Sequence, residues 1–173
     1  VRRIDDLGRV VIPKEIRRTM RIREGDPLEI YTTREGEVIF KKYSLIGGLE
    51  DFAAQFCDVL NRSSGFTAAV TDRDAIIAIT GSGKRELLGK PLSDVLAQVM
   101  EQRSIYQYQG SGRLLPVSDS SDRYTVAVAA PIFCGGDVMG LVLFLSSDAQ
   151  IPGEGEYKLA QTVSAFLGRH MET

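Results

Sequence analysis

The chain has few of the side chains that hold soft metals. Its 173 residues include one histidine, His170, and two cysteines, Cys57 and Cys134, which lie far apart and outside any CxxC spacing. A tetrahedral zinc site needs four converging nitrogen or sulfur ligands, so no metal-binding residue is assigned and no cofactor is expected. Two separated thiols suit a reducing compartment. No apolar run approaches the roughly 18 residues of a membrane span, and no charged head with an apolar signal segment leads the chain. No membrane partner is therefore expected, and the cytoplasm is the expected location. At 43% hydrophobic and 25% charged residues the composition is ordinary, and the length allows one large domain or two small ones.

Catalytic groupings are also missing. No Ser/His/Asp arrangement or pair of carboxylates stands out, so no catalytic residue is assigned and the chain is not read as an enzyme. Gly81-Ser82-Gly83-Lys84-Arg85 looks superficially like a phosphate-binding loop but lacks the G-x-x-x-x-G-K-[ST] spacing. It reads instead as a flexible connection into a short helix over 85–88.

What the sequence does have is unevenly placed charge. The formal net charge is −2, yet residues 1–23 carry Arg2, Arg3, Arg9, Lys14, Arg17, Arg18, Arg21 and Arg23 against Asp5, Asp6 and Glu15, a net of +5. Residues 44–173 carry 10 basic and 15 acidic side chains, a net of −5. An arginine is a planar fork of donors that matches phosphate oxygens and guanine edges, so this cluster reads as a footprint for double-stranded DNA. A solvated basic face with no partner is the other meaning of such a run. Asn and Gln are scarce near it, which favours backbone and groove contacts over adenine readout.

The same stretch has a readable local pattern. Val1 to Asp5 and Arg9 to Pro13 alternate as two short strands around Asp5-Asp6-Leu7-Gly8, a loop in which Gly8 is free to take positive φ. Pro13 ends the second strand and opens a helix from Lys14 to Met20. Leu28 to Thr33 and Val38 to Tyr43 then pair as a hairpin across Arg34-Glu35-Gly36-Glu37. Four strands and one short helix in 43 residues are too little to bury a stable core, so dimerisation is expected on physical grounds.

These residues resemble a known family. Arg2-Arg3-Ile4-Asp5, Leu7-Gly8-Arg9-Val10-Val11-Ile12-Pro13 and Glu15-Ile16-Arg17-Arg18, continuing through Gly25-Asp26 and Leu28-Glu29-Ile30 to Lys41-Lys42-Tyr43, look like the signature of the AbrB-type swapped-hairpin transcription factors. The resemblance implies that two chains interleave their hairpins into one β-barrel. It also implies DNA contact at Arg2, Arg3, Arg9, Arg17 and Arg18; charge and helix position add Lys14 and Arg21. Family chains carry a few residues before the equivalent of Val1, so the first strand is expected to be incomplete. The same head fold serves toxin-neutralising proteins, which makes an antitoxin the alternative function. Antitoxins usually follow the head with a short disordered tail that wraps the toxin, whereas about 125 patterned residues follow here.

Ser44-Leu45-Ile46-Gly47-Gly48 reads as the boundary, giving domains 1–46 and 47–173 with a linker helix over 49–64. Leu49, Phe52, Ala53, Phe56, Cys57 and Leu60 recur at helical spacing, and Cys57 on that stripe reads as a packed thiol. Phe66–Thr71 and Ala75–Thr80 read as strands, 93–105 as a helix capped by Ser93, and 106–122 as a long, weakly patterned loop. Tyr124–Phe133 and Val138–Leu145 read as a hairpin joined by Cys134-Gly135-Gly136-Asp137, and Glu154–Met171 as the last helix. This order, with Ala69-Val70-Thr71-Asp72-Arg73-Asp74 and Gly135-Gly136-Asp137-Val138-Met139-Gly140, resembles a GAF domain. The expected fold class is thus α+β in two domains, a swapped-hairpin barrel made by a dimer and a GAF-like domain with an antiparallel sheet.

Joined at this length, the two resemblances imply a DNA-binding regulator of sporulation type, associated with the nucleoid. The GAF resemblance adds a small-molecule ligand of unidentified chemistry as a candidate partner, in a pocket between the sheet and helix 93–105. Some GAF domains reduce methionine sulfoxide with cysteines, but that chemistry needs an accessible low-pKa thiol and a resolving partner. Two apolar stripes, Leu49, Phe52, Phe56 and Leu60 with Leu159, Val163, Phe166 and Leu167, predict that the first and last helices of the body lie side by side. They are expected to form an oligomer interface with the same helices of a second chain. A homodimer and a homotetramer are both consistent with this.

Overall fold

The computed structural model describes residues 1–44 and 46–172, which form two compact units dividing between Tyr43 and Ser44. Leu45, within the expected boundary, and Thr173 lie outside the described residues.

In the first unit the Asp5–Arg9 turn forms, with Asp5 N–H donating to Arg9 O at 3.0 Å and Gly8 at φ 76°. The flanking segments do not form the expected strands. Ile4, Val10 and Val11 are exposed, and their segments join neither strand of the two-stranded sheet in this unit. Helix α1, Lys14–Thr19, begins after Pro13, and strands β1, Leu28–Thr32, and β2, Val38–Lys42, pair antiparallel from Leu28↔Lys42 to Thr32↔Val38. No described residue from Val1 to Tyr43 is buried.

The second unit is a sheet with helices on both faces. Helix α2, Glu50–Ser64, stops at Gly65, whose φ of 75° suits glycine. Strands β3, Thr67–Thr71, and β4, Ile76–Thr80, pair antiparallel, and helix α3, Lys84–Leu87, is a single turn. Helix α4, Asp94–Glu101, starts as expected at Ser93, whose Oγ accepts the Leu96 N–H at 3.0 Å. Strands β5, Tyr106–Gln107, and β6, Pro116–Ser118, precede the long hairpin of β7, Ser121–Cys134, and β8, Asp137–Ser146; helix α5, Glu154–Met171, closes the unit. The sheet order is β4-β3-β8-β7-β5, with β6 also on β7. Gly135 and Gly136, at φ 58° and 88°, make the two-residue β7–β8 turn.

Alternation within the central strands sorts the core into two layers. Ala68, Val70, Val142 and Phe144 face α2 and α5, whereas Ala69, Leu141, Leu143 and Leu145 face α4 and its flanking loops. Each Leu or Val so buried stabilises the unit by roughly 1.5–3 kcal/mol.

Three further expectations are corrected. The 106–122 stretch is not one loop, because β5, β6 and the start of β7 lie in it. These short strands pair along β7 and leave too few residues for a visible alternation. The pocket expected between the sheet and α4 is filled by Leu92, Leu96, Met100, Leu115 and Val117, all at or below 5% exposure. Helices α2 and α5 do lie side by side, but Leu60, Val163 and Leu167 of the expected oligomer stripes are 1%, 8% and 3% exposed and pack on this chain's own sheet. Leu49, Phe52, Phe56 and Leu159 are half-buried, and Phe166 is 49% exposed.

The approach of α5 to β7 depends on Gly168, where a Cβ would overlap the Phe133 carbonyl oxygen. Gly168→Ala is expected to cost about 1–3 kcal/mol by overpacking. Gly155→Ala on the same helix, where nothing stands near, is expected to be neutral or slightly stabilising. Denaturant unfolding of the two variants checks this, and equal midpoints would mean that α5 stands off the sheet.

Candidate nucleic-acid interface

The basic residues of the first unit sit on two supports, the Asp5–Arg9 turn and α1. Asp5 organises the turn. Its Oδ1 accepts the backbone N–H groups of Leu7 at 3.0 Å and Arg9 at 2.8 Å, and its Oδ2 accepts Nε of Arg9 at 2.8 Å. The Arg9 N–H first, and then its guanidinium, hold the Asp5 carboxyl below its ordinary value. Because Nε is taken by Asp5, the guanidinium is fixed in direction while its Nη groups remain for an outside acceptor, a preorganised fork for a phosphate.

Arg2 and Arg3, on the segment before the turn, are exposed, as are Lys14, Arg17 and Arg18 on α1. Arg17 and Arg18 lie in the last helical turn, where a cation meets the negative end of the helix dipole. Arg21 differs from these six. Its N–H donates to Arg18 O at 3.2 Å and the next N–H, of Ile22, to Arg17 O at 2.8 Å, the paired bonds of a Schellman helix end. Arg21 takes φ 52° at the position usually given to glycine, it is half-buried, and its carbonyl accepts Nζ of Lys42 at 2.9 Å. Sequence reasoning missed this role because no glycine marks the helix end; the glycine at 25 comes four residues later.

Cys57 is buried and its thiol is pushed up to about 12 by desolvation, so it holds no thiolate near neutral pH. Cys134 is half-buried beside the β7–β8 turn. Among the described residues no cluster of His, Cys, Asp and Glu could hold a metal, and no helix is long and apolar enough to cross a membrane.

A family model described as stage V sporulation protein T C-terminal, transcription factor, matches residues 48–172. The chain belongs to the stage V sporulation protein T family. Stage V sporulation protein T of Bacillus subtilis (strain 168) is 48% identical over 172 residues, which cover 99% of this chain and 96% of that protein. Residues 1–45 match the model described as antidote-toxin recognition MazE, bacterial antitoxin. The transition state regulatory protein AbrB of the same organism is 60% identical over 43 residues, 25% of this chain and 44% of that protein. Among solved structures, the GAF domain/HD domain protein from Geobacter sulfurreducens superposes with a TM-score of 0.53 at 20% identity, covering 75% of this chain and 99% of that one. The type II free methionine-R-sulfoxide reductase from Thermoplasma acidophilum gives 0.54 at 12% identity, covering 71% and 94%. At these identities the likeness concerns the fold alone. This chain thus joins an AbrB/MazE-type head to a GAF-like body with an antiparallel sheet, and it is a close homologue of a sporulation transcription factor.

The Asp5 contacts yield a measurable consequence. A carboxyl whose folded value is lowered contributes to the turn fully above the ordinary range of about pH 4 and loses that contribution as pH falls through the lowered value. Carbon-detected NMR titration is expected to place the Asp5 midpoint below that of a free aspartate. A midpoint at or above the free value would mean that Asp5 does not hold the Arg9 fork.

Proposed function

We propose that this protein is a homo-oligomeric transcription regulator of sporulation type whose paired heads grip double-stranded DNA through Arg2, Arg3, Arg9, Lys14, Arg17 and Arg18. The observation that carries the reading is the set of six exposed cations within 18 residues, one of them aimed by Asp5, on a chain whose remaining body is acidic. Arg21, half-buried at the end of α1, is a minor contributor. Pairing of heads is supported by the apolar side chains that one head leaves in solvent, among them Val11, Ile16, Ile30, Val38 and Phe40. An antitoxin role has less support, since the stretch that would wrap a toxin is a folded body.

The body contributes a second contact between chains. The rings of Phe52 and Phe56 lie 5.1 Å apart edge to face, those of Phe56 and Phe166 5.4 Å apart, and Phe52 stacks on His170 at 4.7 Å. This aromatic ridge along α2 and α5, flanked by Leu49 and Leu159, is the face offered to a second body, while Leu60, Val163 and Leu167 support it from beneath. Location in the cytoplasm, on the nucleoid, follows from the DNA partner.

Arg9→Ala and Arg17→Ala are each expected to weaken binding to all duplex sequences and to lower the slope of log affinity against log salt by about 0.9 for every phosphate that is no longer neutralised. Titrations over a salt series read this directly, and unchanged slopes in both variants would remove these residues from the DNA-binding set. Separately, Phe56→Glu combined with Phe166→Glu would place charge in the ridge contact, and sedimentation of the full chain is expected to show a smaller assembly than wild type. An unchanged assembly would mean that the ridge faces solvent in the oligomer.

A further inference from the structure

The body carries a groove that no role assigned so far uses. It has a volume of about 390 Å³ and lies on the α5 side of the sheet, lined by Ile105, Pro131, Phe133 and Ala165 with Arg103 and Arg169 among its polar residues. This is the opposite face from the filled space under α4. A volume in this range suits a small organic molecule, near the lower end of the roughly 300–1,000 Å³ of ligand sites.

Two observations give the groove a charge preference. Arg103 has φ 58°, a left-handed conformation that costs an L-residue energy, and it follows α4 by two residues. Its guanidinium lies 5.0 Å from the centre of the Phe133 ring and donates through Nη2 to Gly136 O, contacts that hold its plane against the groove's apolar wall. Arg169 makes no side-chain hydrogen bond or ion pair among the described residues. No carboxylate lines the groove, although the body as a whole is acidic. Two guanidinium groups that make no ion pair among the described residues, beside an apolar floor, are complementary to one class of molecule, an anion with an apolar tail.

We propose that this groove binds a small carboxylate with an aliphatic or aromatic tail, the carboxylate forked by Arg103 and Arg169 and the tail laid on Ile105, Pro131, Phe133 and Ala165. The planar fork matches a carboxylate in two parallel hydrogen bonds, and the floor removes the tail from water. The site gives a place to the small-molecule partner expected of the body, and it is tested without DNA so that its failure leaves the DNA-binding reading untouched.

The probe is octanoate, with octanol and inorganic phosphate as comparisons, titrated into the full chain while the methyl signals of Ile105 and Ala165 are followed by NMR. Octanoate is expected to shift both signals saturably. Arg169→Gln, which breaks no hydrogen bond or ion pair of the fold, is expected to weaken that binding about tenfold, as removal of a charge-assisted hydrogen bond would. Arg103→Gln is expected to do the same, with its melting curve recorded because Arg103 also holds Gly136 O. Octanol is expected to bind more weakly than octanoate. No saturable shift, binding unchanged by Arg169→Gln, or phosphate binding as tightly as octanoate would each overturn the proposal.

Discussion

The organising constraint of this protein is that its first 43 residues cannot bury their own apolar side chains. β-branched and aromatic residues along the Asp5–Arg9 arms and the β1–β2 hairpin stay in solvent in a single chain, although the backbone already carries the turns and the helix that a packed unit would need. Local bonds set these shapes, but nothing beneath them supplies the hydrophobic term that offsets chain entropy. A second copy is the simplest source of that missing core. On the proposed pairing, association of the head is the same event as its folding, which would place the exposed arginines under the control of protein concentration.

The body solves the opposite problem. Its β3 and β8 strands are buried on both faces, so each successive residue belongs to a different layer and both layers need helices. Helices α2 and α5 cover one face incompletely, leaving Phe52, Phe56 and Phe166 as a ridge whose underside is core and whose crest is wet. On the proposed contacts, a head that pairs and a body with an apolar crest would give two contacts per chain, and whether these met one partner or two would decide between a dimer and a tetramer.

Much of this was legible in the sequence because the signals were local. Ser93 as a cap, the Gly135-Gly136 turn, the helical spacing of Cys57 and the excess of arginine over residues 1–23 each follow from a few neighbouring residues. The misreadings share a cause in tertiary context. Leu60, Val163 and Leu167 have the same periodicity as the ridge, and only the position of the sheet shows that they point beneath it. Arg21 occupies a glycine's place at the end of α1, a role set by two backbone hydrogen bonds and invisible in its side chain. The strands at 106–107 and 116–118 are too short to show alternation and exist because β7 is there to pair with them.

The two cysteines differ in a way that makes the molecule easy to mark. Cys57 lies on the buried face of α2 with its proton held at neutral pH, whereas Cys134 stands half-open at the tip of the longest hairpin. A maleimide dye therefore distinguishes them without any change to the chain, placing one fluorophore per molecule next to the β7–β8 turn. From that single point, in the proposed oligomer, the spacing between neighbouring bodies would become a distance that energy transfer can report.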